Sequence, residues 1–242
     1  MPVWTPPRWI EVYAEQAAMF REAVGRADLG ADVPSCPGWT FTELTVHAGR
    51  FLAQVTRYLT SGSVVQLRPR PAQPPADPLA FLDEELAAAA EVLAATPGNR
   101  PVWTFSPAAP DLAWVWHRRA AHELNLRRWD AQAALRTLVP TDREQSADAL
   151  DELLGTLLAA RLLLDSPPTT AGSAIVSCAD GPERWFVRLV PGEVPQVRLA
   201  ARDEQADAHL NGRTANLLYQ LWNRMQLTGT GEASVLRALR MS

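Results

Sequence analysis

The apolar residues of this chain change their period near residue 170. Before that point they recur every three or four positions; after it they alternate or cluster in short β-branched and aromatic runs, until helical spacing returns near residue 213. Such a switch predicts a series of helices followed by a unit containing strands, an α+β chain. Trp9, Ile10, Tyr13, Ala17, Phe20 and Val24 mark a first helix over residues 9–24. Cys36-Pro37-Gly38 closes the next connection, and Thr40-Phe41-Thr42-Glu43 has the form of a capping box. Phe41, Leu44, Ala48, Phe51, Leu52, Val55 and Leu59 then trace the buried stripe of a second helix, with His47 inside it. The proline-rich residues 61–76 predict a long loop over the surface, over a cleft mouth or at a dimer contact. Asp77-Pro78 supplies a cap and a first-turn proline for a third helix, which Pro97-Gly98 ends.

The fourth helix, residues 115–135, carries the polar residues that matter. It holds two histidines, a glutamate, four arginines, an aspartate and two tryptophans, with no Gly or Pro to interrupt it. Asp111 is placed to cap it. Arg119, Glu123 and Arg127 fall on one face; His122, Leu126, Trp129 and Ala133 fall on a neighbouring one. A fifth helix is expected from about Ser146, ending before Pro167-Pro168. Beyond it, residues 174–179 and 185–190 read as a hairpin joined through Asp180-Gly181. Strands are expected at 195–201 and 206–210, and helices at 213–226 and 234–240. The chain thus divides into a helical bundle, 1–166, and a small C-terminal α+β domain, 167–242.

Composition excludes several partners. The net charge of -4 offers no electrostatic case for nucleic acid or an anionic membrane. No apolar run approaches the ~18 residues a membrane helix needs, and the N-terminus lacks a charged-then-apolar signal. Two cysteines in unlike contexts fit reduced thiols in a cytoplasmic protein. Every basic residue is Arg, which with abundant Ala and Pro points to a GC-rich genome.

A histidine within an apolar stripe is either a core residue satisfied locally or a group held for chemistry. Bundles build sites from side chains on facing helices, and Glu123 is the candidate partner of His47. A metal such as zinc takes three or four N, O or S donors, and these two residues supply two. One turn beyond Glu123 stands Arg127, whose guanidinium stays protonated and cannot ligate. His122 points about 100° away from Glu123 and His117 lies on the far side, so the spacing for a complete metal site is absent. The same row also reads as an exposed salt ladder, worth roughly a few tenths of a kcal/mol per pair. Cys36, with no histidine near it in sequence, reads as structural.

Three stretches taken together carry a resemblance. They are Cys36-Pro37-Gly38-Trp39-Thr40 leading to His47; Arg118-Arg119-Ala120-Ala121-His122-Glu123 with Arg128-Trp129-Asp130-Ala131; and residues 210–224 with 229–239. In this order they resemble the mycothiol-dependent maleylpyruvate isomerase family, a branch of the DinB-like four-helix proteins. The resemblance spans nearly the whole chain and implies a DinB-like bundle followed by a sterol-carrier-like α+β domain. It also implies an actinobacterial cytoplasm and the thiol cofactor mycothiol. In that family a metal is held by a histidine on the second helix and by a glutamate and a histidine one turn apart on the fourth. Carried over, these fall on His47, Glu123 and position 127, where Arg127 departs from the pattern. Arg224 matches an arginine implicated in activity, where it would hold a carboxylate. The function implied is that of a thiol-dependent isomerase or transferase on a small electrophilic or dicarboxylate substrate, monomeric or homodimeric, with a degenerate zinc site. There Arg127 fills the metal's space and His47 serves as acid or base. The alternatives are a metal-independent enzyme of secondary metabolism and a non-catalytic protein that binds a small molecule.

Overall fold

The computed structural model describes residues 4–68, 73–164 and 169–241. The chain forms two compact units, one of Val3–Thr104 with Pro110–Val139, the other mainly of Pro140–Ser242 with Phe105–Ala109. The sequence pattern divides the chain at 166; these units part near residue 140, so the fifth helix falls with the strands.

The first unit is a bundle of α1 (Pro6–Arg26), α2 (Phe41–Ser61), α3 (Pro78–Ala95) and α4 (Trp114–Ala134). Helices α1 and α2 each pack against both α3 and α4. Phe20, Leu44, Leu52, Leu59, Leu82, Leu93 and Leu124 are fully buried between them. The expected caps are mostly present. Glu43 accepts the Thr40 backbone N–H at 2.8 Å and also bonds the Thr40 hydroxyl, closing the capping box. Asp77 Oδ1 accepts the amides of Leu79 and Ala80 at 2.9 and 3.1 Å. Gly62 ends α2 at φ 59°, a left-handed conformation that costs glycine little. Of the proline-rich segment beyond it, residues 69–72 lie outside the described residues.

Asp111 corrects one expectation. It does not cap α4: the residue before that helix is Ala113, with no side-chain cap. Asp111 Oδ1 instead accepts the Thr104 amide at 2.8 Å. The segment ahead of α4 folds back through a Pro101–Leu112 bridge and spends the carboxylate on closing itself.

Helix α4 is buried on every side from Val115 to Gln132. Among its buried charged groups, Arg128 donates to Asn125 and Gln132, both at 2.9 Å, and to the Val139 carbonyl beyond the helix at 2.6 Å. Both ring nitrogens of His117 lie 2.9 Å from backbone carbonyls, those of Ala113 and Leu93.

In the second unit one long helix runs through α5 (Arg143–Glu152), a five-residue π turn at Leu153–Leu157 and α6 (Leu158–Leu164). Ser106 donates at 2.6 Å to the Thr156 carbonyl within the π turn. Pro167-Pro168, expected to stop this helix, lie outside the described residues. The hairpin is present as β1 (Gly172–Cys178) antiparallel to β2 (Arg184–Leu189), with Ala174 opposite Val187. β3 (Gln196–Leu199) joins β2, and β4 (Ala208–Gly212) pairs parallel with β1. A two-residue β5 (Thr230–Gly231), too short to leave a period in the sequence, completes the order β3-β2-β1-β4-β5. Helices α7 (Thr214–Leu221) and α8 (Ala233–Ala238) both pack on β4. Among the described residues no helix is long and apolar enough to cross a membrane.

Candidate functional site

The row on α4 is interior, which settles its two readings: the Arg119, Glu123 and Arg127 side chains are 5, 7 and 9% exposed. Arg119 Nη2 donates to Glu123 Oε2 at 2.9 Å, and Arg127 Nε donates to Oε1 at 2.7 Å. Facing them across the bundle, His47 Nε2 lies 3.2 Å from the same Oε1. The expected His47–Glu123 partnership therefore exists, built from α2 and α4.

Burial by itself would raise the Glu123 pKa. The Arg127 charge, the His47 hydrogen bond and the Arg119 charge overcome it and hold the group well below the usual carboxylate range. Burial would likewise weaken the Arg127 cation, but Glu123 and Asp130 raise its pKa further. An ionised carboxylate only accepts hydrogen bonds, so Nε2 of His47 carries the hydrogen directed at Glu123. In the neutral ring Nδ1 then holds the lone pair. The His47 side chain is 41% exposed, which leaves the ring open to a small molecule.

The loop before α2 completes the site. Within it Val33 N–H donates to the Trp39 carbonyl at 2.8 Å, and Trp39 N–H to the Cys36 carbonyl at 2.9 Å. Gly38 at φ 81° permits this reversal, which few side chains would tolerate. Trp39 is thereby set against the His47 ring, centroids 4.8 Å apart, and under the Arg127 guanidinium at 5.5 Å. From the same loop the Ser35 hydroxyl donates to Asp130 Oδ1 at 2.6 Å, while Asp130 Oδ2 accepts from Arg127 Nη1 at 3.2 Å. Trp39 and Asp130 stand in the motifs that carry the family resemblance, which assigns them no role, and Ser35 has no sequence signal. Asp130, three positions from Arg127, is within its reach on a helix.

These residues do not fit a metal. Both oxygens of Glu123 are engaged by guanidinium groups, and the next position on its face is a fixed cation. Among the described residues no three His, Cys, Asp or Glu side chains form a group that could hold an ion. A thiol fits better: a partly exposed imidazole backed by a carboxylate is the group that takes a thiol proton.

His122 is buried on α4, and His209 sits on β4 opposite Thr230. Arg224 belongs to the second unit, where its Nη1 donates to the Trp222 carbonyl at 2.8 Å. Cys36 and Cys178 are buried and not joined in a disulfide, the latter with its pKa raised chiefly by burial. A hollow of about 810 Å³ lies on the sheet unit, lined in part by Phe186, Arg188, Arg198 and Asp207. Its Arg198 stacks on Phe186 at 4.3 Å and pairs with Glu204.

The architecture is a helical bundle with a polar centre between facing helices, followed by a small mixed sheet, and bundles of this kind can build ligand sites from side chains on facing helices. Comparison with known proteins narrows the description. Residues 11–132, half of the chain, match the family model of the mycothiol maleylpyruvate isomerase N-terminal domain, and the chain belongs to that family. Two solved structures are similar over 95% of this chain and 95% of theirs. One is the mycothiol-dependent maleylpyruvate isomerase, with a TM-score of 0.65 and 12% identity. The other is a histidine-to-alanine mutant of an enzyme of that name, with a TM-score of 0.66 and 11% identity. At such identity the likeness shows the fold. A search of curated proteins found no match.

Proposed function

We propose that this chain is a thiol-dependent isomerase or transferase acting on a small electrophilic, anionic substrate, with His47 as the proton-transfer residue. The observation that carries the reading is the His47–Glu123 contact, a half-exposed imidazole anchored through Nε2 to a buried carboxylate. Family membership makes mycothiol the thiol to test; when bound it supplies a sulfur nucleophile. The chain's part is to move the proton. Nδ1 of His47 receives it, Glu123 stabilises the resulting imidazolium, and Trp39 keeps the ring from turning away. Arg127 and Arg119 keep Glu123 ionised through that step. Arg224 is proposed, on the resemblance, to hold a substrate carboxylate. Cytoplasmic location and action as a monomer or homodimer belong to the same reading.

The test is turnover of maleylpyruvate with mycothiol by the unaltered chain and by His47→Ala, with the fold checked by circular dichroism. Loss of about 10²–10⁴ in kcat is expected from removing a general base. Unchanged kcat in a folded His47→Ala would end the proposed role of His47. Tight binding of substrate or thiol with no conversion would favour a binding protein. That reading has one observation in its favour, the internal pairing of both Glu123 oxygens. Turnover without any thiol would favour an enzyme of other chemistry on this fold.

A further inference from the structure

We propose that Arg127 takes the place of a divalent cation at this centre, bridging Glu123 and Asp130 where a metal would need its third donor, so that the chain excludes zinc. The inference concerns the same centre as the proposed function.

The geometry begins with two donors in the right place. His47 Nε2 and Glu123 Oε1 approach each other from facing helices at 3.2 Å, so one small ion could touch an imidazole and a carboxylate here. Position 127 lies one turn from Glu123 on the same helix face, where a third donor would reach that ion. Arg127 presents N–H groups there instead, and they are already committed. Nε points to Glu123 Oε1 at 2.7 Å, the oxygen nearest His47, and Nη1 points to Asp130 at 3.2 Å. The face of Trp39, 5.5 Å from the guanidinium carbon, adds a further contact to the cation. Asp130 is in turn held by Ser35, so the guanidinium is gripped from the loop as well as from the helix.

Charge points the same way. Arg119 and Arg127 balance Glu123 and Asp130, leaving the cluster neutral with a neutral His47. An entering dication would meet two guanidiniums in a buried site, and it would have to break the short contact at Oε1 to bind. Neither guanidinium can discharge itself to make room. An arginine here therefore does more than delete a ligand. It fills the position, occupies the carboxylate and supplies the positive charge. Substituting one residue should reopen the site, because the other two donors are still aimed at it.

The experiment is a calorimetric titration of chelator-stripped protein with zinc chloride. It is run on the unaltered chain, on His47→Ala, on Arg127→His, and on Arg127→His combined with His47→Ala. Arg127→Asp, which offers a carboxylate donor, serves as second variant should the histidine variant fail to fold. The expected result is no stoichiometric uptake by the unaltered chain, one equivalent bound by Arg127→His, and loss of that equivalent when His47 is also removed. Stoichiometric zinc on the unaltered chain that disappears in His47→Ala would overturn the proposal. So would a folded Arg127→His that binds none, since Arg127 would then not be what keeps zinc out. Metal uptake is read without turnover, so a failure here is distinct from a failure of the proton-transfer role, which shows only in kcat.

Discussion

Glu123 accepts from two arginines and a histidine while almost wholly buried, and its contribution rests on all three. Replacing it by glutamine keeps the volume and removes the charge, stranding two guanidiniums in the interior. Glu123→Gln is therefore expected to destabilise the protein by about 3–5 kcal/mol, measured by urea unfolding. A change within the ~1 kcal/mol typical of exposed pairs would mean that the row behaves as a surface ladder. Glu123 and Arg127 are legible as one face of α4 because helical spacing fixes it, and His47 as a polar residue inside the apolar stripe of α2. The placement of Trp39 and Ser35 is not legible in this way. Their positions are set by backbone hydrogen bonds within residues 33–39 and by the left-handed Gly38, and neither leaves a periodic trace.

The helices show where local signals suffice. Asp77 and the Thr40–Glu43 box act as their sequence suggests, since each cap needs only neighbours a turn away. Asp77→Ala should cost about 1 kcal/mol, read as a shift in the denaturant midpoint at unchanged slope. No shift would mean that water replaces the cap at no cost. Asp111 departs from its sequence signal because a tertiary turn competes for the same carboxylate. Helix α4 poses a different difficulty. With polar groups all round it has no apolar stripe to reveal which face is inward, and an exposed helix would carry the same residues. Only the packing of α1 and α2 against it decides.

Across the whole molecule, depressed carboxylates set the response to acid. Glu123 is held low by Arg127, His47 and Arg119 against its burial; Asp180 is lowered first by a Thr214 hydrogen bond; Glu204 is brought to about 2, first by its Arg198 hydrogen bond. Each binds protons less readily folded than unfolded. Its contribution is complete above the unfolded pKa and is lost as pH falls through the folded one. Glu85, raised by burial and by Glu84, acts in the opposite sense and contributes most when protonated. The thermal midpoint should fall as pH is lowered from about 5 to about 2, with a shallower fall in Glu123→Gln. Equal slopes in the two proteins would show that Glu123 is not depressed.

The period switch near residue 170 marks where strands begin, yet it conceals where the compact units part. The leucines of residues 150–162 keep helical spacing through the π turn, so nothing in the pattern separates that helix from the bundle. The turn bears on how such a chain tolerates change in length. Its Leu158 N–H reaches five residues back, to the Leu153 carbonyl, one residue more than an α-helix spans. A helix lengthened by one residue must otherwise rotate everything beyond by about 100°. Bulging locally leaves both flanks on their old faces, so the turn already holds in place one residue more than an α-helix would need rather than passing the rotation on to the strands beyond.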